Sequence, residues 1–300
     1  MSSSVGPAIS EPAAAATLTP AGGVEAPASR QLRILVRRVA HRPSSLLGLL
    51  IVLAWIVVAA AWPLLVPHDP NAINLGASFS SPSLRHLFGT DDLGRDVFSR
   101  VLAGSRSVLL VATVATFLGV ALGTTLGLVA GYYRGIVEEL LMRAMDIVMA
   151  FPLIVVSLLV LALLGPSKLN VILVVAVVFA PYNARVIRSA VLTERARDFI
   201  AAARMRGEAP LYVMFVEILP NIVGTIVVEL TIRLALAIFT VATLSFLGLG
   251  IQPPTPDWGL VISQARQFYR VAPWIVLFPS LAIASLVIAI NLIAEGLRQR

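Results

Sequence analysis

Glu229 and Arg233 stand four residues apart inside a long apolar run, a spacing that puts both side chains on one helix face. A lone charge at the centre of a membrane costs about 2.5–3.5 kcal/mol on insertion scales, so opposite charges at that depth should pair and face protein or water. Two roles fit the pair: the lining of a polar pathway, or a neutralised contact at a helix–helix seam. Thr240, Thr243 and Ser245 carry the polar stripe onward. Asp91, Asp92 and Asp96 crowd a second polar stretch. They could hold a cation, but Asp at a turn or helix start satisfies free backbone N–H groups, and that is the expected role. His41, His68 and His86 are scattered around the first apolar run without zinc-ligand spacing, so no metal site is expected. The absence of cysteine excludes disulfides, thiolate metal sites and cysteine nucleophiles. Lys168, the sole lysine, has no glycine-rich phosphate loop around it, and no Ser, His and Asp constellation is visible. The chain is not expected to catalyse a reaction or to hydrolyse ATP.

The elements that must hold these residues are membrane helices. Of 300 residues, 58% are hydrophobic and 13% charged, well outside the soluble range. Apolar runs of about twenty residues are long enough to cross a bilayer. Six spans are expected, near 46–66, 108–132, 145–164, 171–186, 222–249 and 274–293, giving an all-α polytopic membrane protein. Pro152 should bend the third, and the fifth should tilt or break near Gly248. Gly119, Gly123, Gly127 and Gly131 recur every four residues in the second, a smooth stripe against which another helix can pack.

Residues 1–29 are rich in Ala, Pro, Ser and Gly, show no secretory signal, and are expected to form a disordered tail. Residues 30–45 carry Arg30, Arg33, Arg37, Arg38 and Arg42, a positive cluster expected to stay in the cytoplasm. Residues 67–107 should lie outside, with a short interfacial helix presenting Val97, Phe98, Val101 and Leu102 to the membrane. With both termini inside, basic residues favour the inner side by fifteen to seven. The net charge of +7 reflects this orientation and does not suggest a nucleic-acid partner.

One polar island interrupts the apolar pattern, at 189–221. Ala201, Ala202, Ala203 and Arg204 favour helix, Gly207 can end it in a left-handed cap, and Pro210 suits the first turn of the next. Pro220 should break the chain again before the fifth span. Two short helices joined at a glycine would form a docking surface for another protein. The alternative is an amphipathic loop on anionic lipid, held by Arg195, Arg197, Arg204 and Arg206.

The series Ala202-Ala203, Gly207 and Leu219-Pro220 resembles the cytoplasmic coupling loop of ABC importer permeases, with Ala201 where that family has Glu and Glu217 where it has Ile. Phe88-Gly89-Thr90-Asp91, Leu93-Gly94-Arg95-Asp96 and Ser99-Arg100 resemble the segment before the second span in C-type permeases of dipeptide, oligopeptide and nickel importers. The stretch from Ser245 to Gly259 is similar to the same subunits. Over residues 46–300 the resemblance implies a type I ABC importer permease fold in the bacterial plasma membrane, multi-pass, with both termini cytoplasmic. It implies a B-type second permease, one or two ATPase subunits that bind ATP and Mg, an extracytoplasmic solute-binding protein and surrounding lipid as partners. No cofactor is expected in this chain. Peptides are the implied solute. An importer for nickel or another small solute, and an ion-coupled secondary transporter, are the alternatives.

Overall fold

The structure, a computed structural model, describes residues 27–298. Among them the regular elements are helical. α1 (Pro27–Ala40) and α2 (Pro43–Leu65) are followed by a largely irregular segment. Then come α3 (Val97–Tyr133), α4 (Gly135–Met149), α5 (Leu153–Leu164), α6 (Lys168–Arg195) and α7 (Asp198–Met205). The chain continues through α8 (Pro210–Phe246), α9 (Trp258–Ala265) and α10 (Trp274–Arg298). Five helices are long and apolar enough to cross a membrane, and the bent pair α4–α5 brings the number to six if it counts as one span.

The tail expected at 1–29 falls outside the described residues except for its end, where residues 27–29 open α1. The segment at 30–45 is not merely basic. Leu35 is buried, and Gln31 clips α1 to the base of α8, its Nε2 donating to Asn221 O at 2.5 Å while its Oε1 accepts from Gly224 N at 2.7 Å.

The interfacial helix expected near residue 97 is instead the start of α3, which runs unbroken for 37 residues. At 1.5 Å per residue that is about 55 Å, far more than the roughly 30 Å of hydrocarbon, so part of α3 projects beyond it. The physical reason lies in its neighbours. Val97 and Val101 are buried in the main core with Trp258, whose Nε1 donates to Val101 O at 2.8 Å. Arg100 is 2% exposed and donates to Pro70 O and Gln264 Oε1.

The third span is broken. Pro152 lacks the N–H that a continuous helix needs, and α4 and α5 meet at 84°. At the other end of the polar island the expectation of a second short helix is corrected. α8 passes straight through Pro220, after a π-helical stretch at Val213–Ile218. There Leu219 N donates to Met214 O, five residues back, and a local π adjustment of this kind is one way a helix accommodates proline. α8 ends at Phe246, and Gly248 follows at φ +86°.

α3 and α6 form the spine. Gly119, Gly123, Gly127 and Gly131 face α6 so closely that a Cβ on each would lie 2.9, 2.5, 2.7 and 2.7 Å from Ala176 O, Ala180 O, Ala184 O and Val191 Cγ1. Asn183 closes the seam, its Nδ2 donating to Val120 O at 2.9 Å. By contrast α2 buries only Ser45 and Gly48, and α5 only Ser157 and Leu161. These sparsely covered helices are left facing outward.

α9 is a short helix tucked against α3, α8 and α10 and capped by Asp257, whose Oδ1 accepts from Leu260 N at 3.0 Å. Complete burial, only partly offset by the Leu260 N–H, pushes the Asp257 carboxyl up from 3.8 to about 6. The folded state therefore holds this proton more tightly than the unfolded chain. That contribution is fully present below pH 3.8 and is lost as pH rises toward 6. Asp257→Asn keeps a side-chain oxygen for the cap and cannot ionise. Its stability relative to the parent should rise by about 2 kcal/mol between pH 4 and pH 7, on the conversion of 1.36 kcal/mol per pH unit. Thermal unfolding of both proteins in detergent across that range checks it, and parallel pH profiles would contradict it.

Candidate functional site

The polar island at 189–221 stands on a core of its own. Ile200 and Ala203 of α7 are buried with Leu128 of α3, with Ile187 and Val191 of α6, and with Val213, Ile218 and Ile222 of α8. Alanine at 203 is small enough to let α7 lie close to this cluster, and Ile200 fills it from one turn earlier. Arg204 lies over the Tyr132 ring at 4.8 Å, a cation–π contact between α7 and the end of α3. No motif pointed to Tyr132; its position at the end of the glycine stripe was the available signal.

α7 ends in a Schellman motif. Gly207 N donates to Arg204 O at 3.0 Å and Glu208 N to Ala203 O at 3.3 Å. Gly207 has φ +77° and no atom within 4 Å of the place a Cβ would take. The turn is therefore held from behind and open in front. Arg206 bridges it, reaching Glu208 Oε1 at 3.5 Å and Glu217 Oε1 at 3.6 Å. Glu217, the departure from the family pattern, thus serves as a brace within the loop. Ala201 and Arg204 are exposed, Ala202, Leu219 and Pro220 half-buried.

The outer face of the turn is apolar as well as exposed. Met205 is 83% and Leu211 64% exposed, with Tyr212, Phe215 and Val216 beside them. A buried base, a bridged turn and an uncovered apolar face occur together here, and exposed apolar patches of this kind commonly mark interaction sites.

Glu229 and Arg233 pair along α8 at 3.1 Å, and both are largely buried. Arg233 also lies over the Tyr182 ring of α6 at 5.5 Å. Glu229 reaches a cavity of about 460 Å³ lined also by Gln31, Leu35, Arg38 and Arg298. The pair thus touches both a helix seam and an open cavity.

On the other side, Asp91 builds the turn it occupies. Its Oδ1 accepts from Leu93 N and Arg95 N at 3.0 and 2.9 Å, and its Oδ2 from Arg95 Nε at 2.7 Å. Asp96 caps α3 through Ser99 N at 2.8 Å. The acids are turn and cap residues, with Asp92 3.8 Å from Arg95. Two of the histidines that sequence spacing set apart come together here, His86 Nδ1 lying 3.0 Å and His68 Nδ1 4.0 Å from Asp96 Oδ1.

These features define a polytopic helical membrane protein with an exposed apolar turn between α7 and α8 and a folded segment between α2 and α3. The family described as "Binding-protein-dependent transport system inner membrane component" matches residues 123–300. A dipeptide transport system permease protein DppC from Alkalihalophilus pseudofirmus is 41% identical over 85% of this chain and 84% of its own. The DppC of Haemophilus influenzae is 38% identical over 85% and 88%. A glutathione transport system permease protein GsiD of Escherichia coli is 42% identical over 87% of each chain. Among solved structures, a chain of the MetNI methionine ABC transporter in inward-facing conformations superposes with a TM-score of 0.53 at 18% identity, covering 67% of this chain and 97% of that one. The chain belongs to the family of inner-membrane components of binding-protein-dependent transport systems, and its fold is that of an ABC importer permease.

Proposed function

We propose that this chain is one of two permease subunits of a plasma-membrane importer that carries di- or oligopeptides, driven by separate ATPase subunits and fed by an extracytoplasmic solute-binding protein. The observation that carries this reading is the braced, apolar turn at Met205–Tyr212, seated on its own core and uncovered on its outer face. ATP-driven closure of an ATPase pair would push on that turn. α7 would pass the push to α3 and α6 through Ile200, Ala203 and Tyr132, and α8, continuous with the loop, would carry it directly into the membrane. Alternating access follows if α8 rocks against the α3–α6 spine. The loop then lies in the cytoplasm with both termini, as the distribution of arginines favours. Glu229 and Arg233 would line the pathway where α8 faces the second permease. Peptide as the solute is supported by the names of the relatives that are about 40% identical along most of the chain.

Co-purification from the native membrane tests this. A homologous permease and at least one ABC ATPase should accompany the chain in mild detergent. Recovery of the chain alone after crosslinking would contradict the reading, and uptake driven by an ion gradient without ATP would replace it.

A further inference from the structure

We propose that His68, His86 and Asp96 form a binding site for a late first-row divalent cation of the zinc type, on the outer segment and apart from the transport machinery. The two imidazole rings stack with centroids 4.8 Å apart, and both turn Nδ1 toward the same oxygen, Asp96 Oδ1. The ligand atoms of the three residues lie within 4.8 Å of one another. In a tetrahedral zinc site with bonds of about 2.0–2.1 Å, neighbouring ligand atoms are about 3.3 Å apart. The observed separations of 3.0 and 4.0 Å from Asp96 Oδ1 straddle that value. A shift of about 1–1.5 Å by the half-exposed His68 ring, toward both Asp96 Oδ1 and His86, would close the set.

Two further observations point to a ligand. His68 Nδ1 is buried and has no hydrogen-bond partner, a state that costs about 1–3 kcal/mol unless something fills it. Asp96 is already oriented to coordinate, because its Oδ2 accepts from Ser99 N and Ser99 Oγ at 2.8 and 2.7 Å and leaves Oδ1 to face the imidazoles. Hydrogen bonds of this kind behind a carboxylate ligand fix its orientation toward a metal. Two imidazoles and one carboxylate suit zinc and its neighbours, and they leave a fourth position for water. Calcium and magnesium, which prefer oxygen ligands, do not match the set. The chemistry would pin the outer segment at residues 68 and 86 to the start of α3.

The test uses the full chain, treated with chelator and titrated with Zn2+ alone, with Co2+ absorption reporting ligand geometry. The parent chain should bind one Zn2+ with tetrahedral Co2+ bands, and Zn2+ should raise its melting temperature. His68→Ala, at a half-exposed side chain, should weaken Zn2+ binding about 100-fold or more, at least the loss that changes behind a metal ligand produce. His86→Gln keeps an amide that can donate to Asp96 and should lose the metal while remaining folded. His41→Ala, on α1's side of the molecule, should bind as the parent does. Absence of stoichiometric Zn2+ binding overturns the proposal, as does retention of parent affinity by His68→Ala or His86→Gln, or loss of it in His41→Ala.

Discussion

Gly207→Asp should cut solute uptake about tenfold or more, while the subunit still assembles. The backbone at φ +77° is left-handed, where an L residue costs about 1–2 kcal/mol and Asp is among the better tolerated. A side chain there meets nothing within 4 Å, so the chain can fold around it. What changes is the open front of the turn, between Met205 and Leu211, which gains a bulky charge at the point where the proposed function seats an ATPase. Uptake of labelled dipeptide in membrane vesicles, beside recovery of the complex, separates the two effects. Gly207→Ala carries the backbone cost without the charge and should retain most activity. Uptake at the parent rate by Gly207→Asp would sink the idea that this turn is the lever.

The second large effect belongs to the glycine seam. Gly123→Leu should destabilise the fold by about 3 kcal/mol or more, at the upper end of overpacking costs or beyond them. Even a Cβ at this position would lie 2.5 Å from the Ala180 carbonyl oxygen, a backbone atom that moves only if α6 moves. The larger side chain would also displace Asn183, whose amide bridges α6 to Val120 O and Thr124 Oγ1. Folded yield and thermal unfolding in detergent measure the loss. Leu122→Ala is the control: Leu122 is 42% exposed on the same helix and points away from the seam, so its change should be small. Equal stability of the two variants would mean that α3 and α6 do not pack as described.

Both of those glycines could be found without a structure, because each answers a local rule. A glycine every fourth residue in an apolar run marks a close helix contact wherever it occurs. A glycine after a run of helix formers marks a left-handed cap. The paired Glu229 and Arg233 were equally visible, since i and i+4 share a face. Residues whose partners are far away in the chain were not. The helix expected on the membrane surface near residue 97 became the first turns of α3 in the core, because Arg100 finds Pro70 and Gln264, 30 and 164 residues away. Gln31 reaches Asn221 across 190 residues, so nothing near it in sequence announces the clip. His68, His86 and Asp96 meet only because the outer segment folds back on the start of α3. Pro220 misled for the opposite reason. The rule that proline ends a helix is sound, but the π turn at Val213–Ile218 rearranges the carbonyls it depends on.

The central claim is that the turn between α7 and α8 is where an ATPase takes hold, and its most direct test builds a crosslink into the co-purification. The chain has no cysteine, so Met205→Cys places a single thiol on the exposed face of the turn. A short thiol-to-amine crosslinker in native membranes should join this residue to an ABC ATPase subunit, and ATP should alter the yield. An ATPase that co-purifies with the chain yet never crosslinks to residue 205 would place the coupling contact elsewhere and contradict the account.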